Sequence, residues 1–314
     1  MKAYTLTEAG DVSKLKLAEI AKPVVQPNEV LIKLRSISIN PVDIKTRMGK
    51  SLFSELIKEN PFIVLGWDVS GEVVEVGSHV NNFKPGDEVF GMVNFPGHGR
   101  AYAEFVTAPA DQLALKPSNI SHEEAAAATL AALTAWQALV THAKLAAGQK
   151  VVIQAAAGGV GHYAVQLAKH LGAYTIATSS AANRHFVLSL GADKHIDYKT
   201  QRLDEVIDDA DFVLDPIGGE NIDASLNSVK KGGTMIMLPS MYKDLLAEKA
   251  KAKGVNGYFF SVAPNGEDMK HIASLLASGK LKSHVSHIYS FDQLPEAHRQ
   301  VETGRTVGKV VVSF

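Results

Sequence analysis

The chain has 314 residues and a mass of 33.6 kDa, enough for about two domains at roughly 150 residues each. Hydrophobic residues make up 46% and charged residues 21%, an ordinary globular composition that argues against a disordered or fibrous chain. With 32 Lys+Arg against 33 Asp+Glu there is no basic excess to hold a polyphosphate backbone, so nucleic acid is not expected as a partner; the lack of cysteine excludes disulfides, thiolate nucleophiles, Cys-ligated zinc and iron–sulfur clusters.

The first ten residues, Met1 to Gly10, carry no apolar run behind a positive start, so they do not read as a secretory signal. The longest apolar tract, Ala125 to Val140, is shorter than the roughly 18 residues of a spanning helix and is broken by Thr129, Thr134 and Gln137. The expectation is a soluble cytoplasmic protein with no membrane partner.

Up to about residue 120 the chain runs in short strand-like pieces: Val30–Leu34, Gly71–Val76 and Ala103–Val106. Turn signals separate them, among them Pro27-Asn28, Val76-Gly77-Ser78 and Lys84-Pro85-Gly86-Asp87. This rhythm predicts an irregular β-rich domain. Near residue 121 it changes: Ser121-His122-Glu123-Glu124 is a capping-box pattern, and an alanine-rich helix is predicted from it to about His142.

Strands and helices then alternate. Strands are predicted at Gln149–Ile153, Thr175–Thr178, Lys194–Asp197, Asp211–Asp215 and Thr234–Leu238, and helices at Tyr163–Leu171 and Asn183–Leu190. Such alternation implies βαβ units on a parallel sheet. After about Pro264 one helical stretch, Met269–Ser278, precedes a strand at Lys309–Phe314.

Val151-Val152-Ile153 feeds a turn of small residues, Gln154-Ala155-Ala156-Ala157-Gly158-Gly159-Val160-Gly161, and the turn opens a helix. Glycine lets the backbone approach a ligand, while the free amides and dipole of a helix start favour an anion. Strand, glycine turn and helix together are the context that a dinucleotide diphosphate requires. Glycines present only for tight packing are the alternative, and several consecutive small residues exceed what packing needs.

An NAD site places an acid about 20 residues beyond such a turn, for the ribose 2′-hydroxyl. From His162 through Gly191 there is no Asp or Glu; the second strand ends in Thr178-Ser179-Ser180, with Arg184 one turn on. Hydroxyls and a guanidinium suit a 2′-phosphate, so NADPH is the predicted cofactor. A solvated surface arginine is the alternative for Arg184.

Six segments, in this order, resemble the medium-chain dehydrogenase/reductase superfamily and within it the zinc-free quinone oxidoreductase group. They are Asn40-Pro41-Val42-Asp43, Gly66-Trp67-Asp68-Val69-Ser70-Gly71, Lys84-Pro85-Gly86-Asp87-Glu88-Val89, Ala155–Gly161, Leu190-Gly191-Ala192-Asp193 and Gly308-Lys309-Val310-Val311. The resemblance spans nearly the whole chain. It implies an α/β fold with a Rossmann-type doubly wound parallel sheet (residues 123–260) and a GroES-like β-rich catalytic domain (residues 1–122 and 261–314), the nicotinamide lying in the cleft between them. It also implies homodimer assembly, since such relatives are often dimers.

Zinc-dependent relatives carry a cysteine where this chain has Asn40 and a His-Glu pair where it has Trp67-Asp68, so no metal is expected. His284 and His287 read as a surface pair. Without zinc, the implied substrate is a small electron-poor molecule, a quinone or an α,β-unsaturated carbonyl, which takes a hydride from the nicotinamide while the protein orients both partners. A protein that binds NADPH as a redox sensor or regulatory partner, without turnover, is the alternative.

By the resemblance, Asn40 is the catalytic candidate and also meets the nicotinamide ribose or the substrate; a simple turn residue before Pro41 is compatible with that. Asp43 is expected to fix the local loop, and Trp67 to form an apolar wall or core. Thr134 matches a nicotinamide-ribose contact, and Ala157, Gly158, Gly159 and Val160 the pyrophosphate turn. Ser179 and Arg184 match the 2′-phosphate contacts, and Tyr198 an aromatic beside the adenosine phosphate. Ile217 and Leu238 are placed at sheet carboxyl ends facing the cofactor; Phe259, Phe260 and Ser261 match the segment whose backbone meets the carboxamide. Lys309 is read either as a phosphate or ribose contact or as a solvated lysine. No general acid is identified.

Overall fold

Apolar and polar residues alternating between Pro, Gly, Asn and Asp turns produce the strands of the first 115 residues; the computed structural model describes all residues, Met1–Phe314. In chain order these are β1 (Lys2–Thr5), β2 (Lys16–Glu19), β3 (Glu29–Ile39), β4 (Asp68–Val76), β5 (Glu88–Met92), β6 (Phe105–Pro109) and β7 (Ala114–Leu115). Four helices lie among and after them: α1 (Pro41–Arg47), α2 (Phe53–Glu59), α3 (His122–Ala127) and α4 (Leu130–Trp136). The middle of the chain carries β8 (Lys150–Ile153), α5 (Gly161–His170), β9 (Tyr174–Ser179), α6 (Arg184–Ser189), β10 (Lys194–Asp197) and α7 (Leu203–Val206). It continues with β11 (Ala210–Asp215), α8 (Asn221–Asn227), β12 (Val229–Met237), α9 (Lys243–Lys253) and β13 (Asn256–Phe259). The last part carries α10 (Gly266–Ala277), β14 (Val285–Ser290), α11 (Leu294–Glu302) and β15 (Lys309–Ser313).

The chain forms two compact units, Met1–Leu133 with Ala263–Phe314, and Thr134–Val262. In the first, β1 and β2 form a two-stranded antiparallel sheet, and the other strands form a seven-stranded sheet in the order β14-β15-β3-β4-β5-β7, with β6 also on β3. The pairings are antiparallel except β14 with β15. Strand β15 returns from the end of the chain and lies along β3 with Val310 opposite Ile39 and Val311 opposite Ser38. That register brings Lys309 beside Asn40.

The capping box at Ser121 forms as read: Ser121 Oγ accepts from Glu124 N at 3.2 Å, and Ser121 N donates to Glu124 Oε2 at 2.9 Å. The alanine-rich helix it starts is not continuous. It breaks after Ala127 and resumes at Leu130, whose amide donates to Asp68 Oδ1 at 2.9 Å, so a carboxylate on β4 caps α4 from across the unit. From Gln137 to His142 the helix takes π form. Two further departures have local causes. Ala103 makes only an isolated bridge to Ala3, so β6 begins at Phe105. The tail holds a second helix, α11, whose short apolar stripe Leu294, Ala297 and buried His298 does not announce a core face.

In the second unit six strands lie parallel in the order β10-β9-β8-β11-β12-β13. This is the doubly wound order, and the direction of winding reverses between β8 and β11. Val152, Ile176, Ile196, Val213 and Met235, one from each of five strands, are buried at its centre; burying each such side chain is worth about 1.5–3 kcal/mol. No helix is long and apolar enough to cross a membrane.

Candidate functional site

The glycine turn lies where β8 meets α5, at the sheet's switch point. Ala155 has φ 47°, a left-handed conformation that costs a non-glycine residue roughly 1–2 kcal/mol. Gly158 N donates to Ala155 O at 2.8 Å, and Ala156 N donates to Thr178 O at 2.9 Å, which pins the turn to β9. A Cβ on Gly161 would lie 2.3 Å from Ala155 O and 2.7 Å from Ala156 Cα. Only glycine lets α5 start this close to the turn. Ala157 is buried and Gly158, Gly159 and Val160 are half-buried, and no side chain caps the helix start at Val160. His162 N donates to Gly158 O at 3.1 Å and Ala164 N to Val160 O at 3.0 Å, and the dipole at this helix start favours an anion such as a diphosphate.

The carboxyl end of β9 gathers a second group. Ser179 is only 3% exposed, and its Oγ lies 2.9 Å from His195 Nε2 and 3.2 Å from Ser180 O, to which it can donate. His195 is on β10, opposite Ala177, so both side chains share the sheet face of Ser179. Tyr198, 62% exposed, follows β10, and its amide reaches Ser179 O at 3.4 Å. Arg184 is exposed at the start of α6. Tyr198 and His195 thus both reach Ser179, and Arg184 begins the helix that follows β9. Nothing in the sequence singled out His195, because its pairing with Ser179 depends on strand register.

Other candidates of this unit lie at the same end of the sheet. After β11, Asp215 Oδ1 accepts from Ile217 N at 2.8 Å and Gly218 N at 2.9 Å, and this holds Ile217 out at 45% exposure. Leu238, half-buried after β12, donates its amide to Asp215 O at 3.0 Å. Phe259 ends β13; Phe260 is buried, its ring centroid 4.5 Å from that of His142; Ser261 is exposed. Thr134, on α4, is buried.

The first unit holds a buried polar cluster around Asn40. The Asn40 side chain does not cap α1. Its Nδ2 donates to Asp68 Oδ2 at 2.7 Å, and its Oδ1 accepts from Lys309 Nζ at 2.5 Å. A carboxylate only accepts and an ammonium only donates, so these two neighbours set which way the amide faces. Asp43 Oδ2 accepts from Asn40 N at 2.7 Å and fixes the backbone there. Lys309 is 3% exposed, so the reading of a solvated lysine does not hold; its ammonium also donates to Ile39 O at 3.2 Å and lies 3.9 Å from Asp68 Oδ2. Burial lowers the Lys309 pKa, against the carboxylates of Asp68 and Asp43. Burial raises the Asp43 pKa to about 8, with the charge of Asp68 adding to the effect and the hydrogen bond from Asn40 N opposing it.

A zinc ion does not fit these residues. Asp68 already accepts from Ser38 Oγ at 2.8 Å, from Asn40 Nδ2 and from Leu130 N, and Trp67 is buried with its Nε1 donating to Gly97 O at 2.8 Å. No group of three or more His, Asp or Glu side chains converges where a metal could be held.

Sequence reasoning also missed a polar group behind Asp43. Arg47 is fully buried and pairs with Glu302, and Tyr102 Oη lies 2.8 Å from His298 Nε2. Burial lowers the His298 pKa to about 3, and the nearby Arg47 charge acts in the same direction. The only signal was a charged residue in the turn of α1 and a histidine within the apolar stripe of α11.

Residues 26–118 match the alcohol dehydrogenase GroES-like domain, and residues 190–312 match the family described as zinc-binding dehydrogenase. The chain is 38% identical over 323 residues to 2-methylene-furan-3-one reductase of Solanum lycopersicum, covering 99% of this chain and 79% of that protein. It is 36% identical over 322 residues to the chloroplastic NADPH-dependent alkenal/one oxidoreductase of Arabidopsis thaliana, with the same coverage of 99% and 79%. Its structure is similar to that of the quinone oxidoreductase from Coxiella burnetii, with a TM-score of 0.95 and 36% identity over 100% of this chain and 99% of the other. The glycine turn, the doubly wound sheet, the β-rich unit and these similarities lead to one conclusion: the chain is an oxidoreductase of the medium-chain dehydrogenase/reductase superfamily, in its quinone oxidoreductase group.

Proposed function

We propose that this protein is an NADPH-dependent reductase of quinones or α,β-unsaturated carbonyl compounds. The observation that carries the reading is the pairing of two anion-ready features on one sheet end. One is the glycine turn at the start of α5, kept tight by Gly161. The other is Ser179 at the end of β9 with Arg184 and Tyr198, in a chain that has no Asp or Glu from His162 through Gly191. The Arabidopsis relative has NADPH dependence in its name, which supports the same cofactor here.

In this reading the amides of Ala157, Gly159 and Val160 hold the pyrophosphate, Gly158 lets it come close to the backbone, and Ser179, Arg184 and Tyr198 hold the 2′-phosphate. Thr134, Ile217, Leu238, Phe259 and Ser261 shape the nicotinamide end. When bound, NADPH supplies the hydride. In an enone the β-carbon takes the hydride, the electron pair moves to the carbonyl oxygen, and the α-carbon takes a proton.

Asn40 is assigned to that oxygen. Of its two N–H groups Asp68 takes one, and the second is left to donate to a substrate oxygen as negative charge develops there. Lys309 is a positioning residue in this scheme. Its ammonium occupies Asn40 Oδ1, which stops the amide from turning over, and its charge strengthens the remaining N–H as a donor.

Mixing the protein with NADPH and a panel of quinones, enals and enones, and following the loss of reduced-nicotinamide absorbance, tests the proposal. Turnover on at least one class is expected. Tight NADPH binding with no turnover on any would instead favour a non-catalytic sensor.

A further inference from the structure

We propose that His195 is a further specificity-determining residue for the adenosine 2′-phosphate, acting by setting the direction of the Ser179 hydroxyl. The inference rests on the reading above, in which Ser179 and Arg184 meet that phosphate.

Ser179 Oγ has one proton and two protein neighbours, His195 Nε2 at 2.9 Å and Ser180 O at 3.2 Å. When Nε2 is bare it accepts the hydroxyl proton, and Ser179 then presents only lone pairs, which repel a phosphate. When Nε2 carries a proton it donates to Oγ, and the hydroxyl proton is free for a phosphoryl oxygen. That oxygen is a stronger acceptor than the carbonyl at 3.2 Å. An imidazolium carries both N–H groups, so protonation forces the second arrangement and adds a positive charge beside the phosphate.

The ionisable groups on the surrounding elements are few. Helix α6 contributes Arg184 and His185, and β9 has only Tyr174, at its opposite end. Along its own strand and the turn after it lie Lys194, Asp197, Tyr198 and Lys199. Asp197 pairs with Ser179 in the register, on the face that His195 shares, and its Oδ1 accepts from Lys199 N at 3.1 Å. A phosphate bound at Ser179 favours a proton on His195, whose Nε2 lies 2.9 Å from Ser179 Oγ. Binding of the 2′-phosphate is therefore linked to proton uptake.

The test is titration of NADPH and NADH, by quenching of protein fluorescence, into wild type, His195→Val, His195→Gln and Arg184→Ala between about pH 8 and 6. In wild type the preference for NADPH over NADH should rise several-fold as the pH falls. His195→Val should bind NADPH on the order of tenfold more weakly at the low end of the range, the loss of one charge-assisted hydrogen bond. Its NADH binding should be unchanged, and this also shows that the variant is folded. His195→Gln keeps an N–H donor and should retain NADPH binding without the pH dependence.

Wild-type affinity and pH profile in both His195 variants would overturn the inference, and so would an equal loss for NADPH and NADH. If Arg184→Ala abolishes the NADPH preference while both His195 variants behave as wild type, the 2′-phosphate site stands and only the role of His195 falls. If Arg184→Ala leaves the preference intact, both fall.

Discussion

Lys309 Nζ donates to Asn40 Oδ1 at 2.5 Å, joining two residues 269 positions apart in the chain. The antiparallel pairing of β15 with β3 makes this contact, and Asp68 on β4 completes it from the other side of Asn40. Two buried charges of opposite sign thus hold one carboxamide in a single orientation.

Replacing Lys309 by methionine leaves Asp68 buried without its cation. The expected result is a loss of about 3 kcal/mol in unfolding free energy, measured by urea denaturation. Catalytic turnover should fall more than substrate KM rises, because Asn40 is no longer held. Unchanged stability would mean that the Asp68 charge is compensated by its hydrogen bonds alone.

Asp43 makes stability depend on pH. Burial pushes its carboxyl up to about 8 in the fold, from the ordinary value of 3.8, so the folded protein keeps a proton there that the unfolded chain gives up. The contribution of Asp43 is therefore fully present below 3.8 and is lost as the pH rises to about 8. Asp43→Asn still accepts from Asn40 N and should remove this slope. Thermal unfolding of both proteins across that range should show the variant gaining on wild type as the pH rises; parallel curves would contradict the shift.

Arg184→Ala should weaken NADPH binding by roughly 10- to 150-fold, the worth of one hydrogen bond to a charged group. NADH binding should change little. The two dissociation constants, measured on the same preparation, check this directly. An equal loss for both would remove Arg184 from the 2′-phosphate site.

Gly161→Ala would place a methyl 2.3 Å from Ala155 O and force α5 away from the turn. Overpacking of this kind costs about 1–3 kcal/mol. NADPH and NADH should lose affinity together, because the diphosphate is common to both. Cofactor titration alongside thermal unfolding separates the binding loss from the stability loss. A loss confined to NADPH would show that the turn does not hold the diphosphate.

The features legible in the sequence depend on near neighbours. The Ser121 capping box involves residues three apart, and the alternation that yields β8–α5–β9 repeats over about two dozen residues. The Gly161 cradle is read from a run of small residues between a buried strand and a helix. The break at Thr129 was not legible, since the group that caps Leu130 is Asp68, 62 residues earlier. Helix α1 was hidden by its brevity and by Arg47, a charged residue that is buried against Glu302.

By itself, then, the amino-acid sequence determined the two-part architecture, the glycine turn and the lack of an acid from His162 through Gly191, because each is a matter of residue type at short spacing. Only the tertiary structure decided that Asn40 sits between Asp68 and Lys309, and that His195 touches Ser179. Such contacts are made by strand register, and register is set when whole sheets bury their apolar faces, a choice no local stretch of sequence contains.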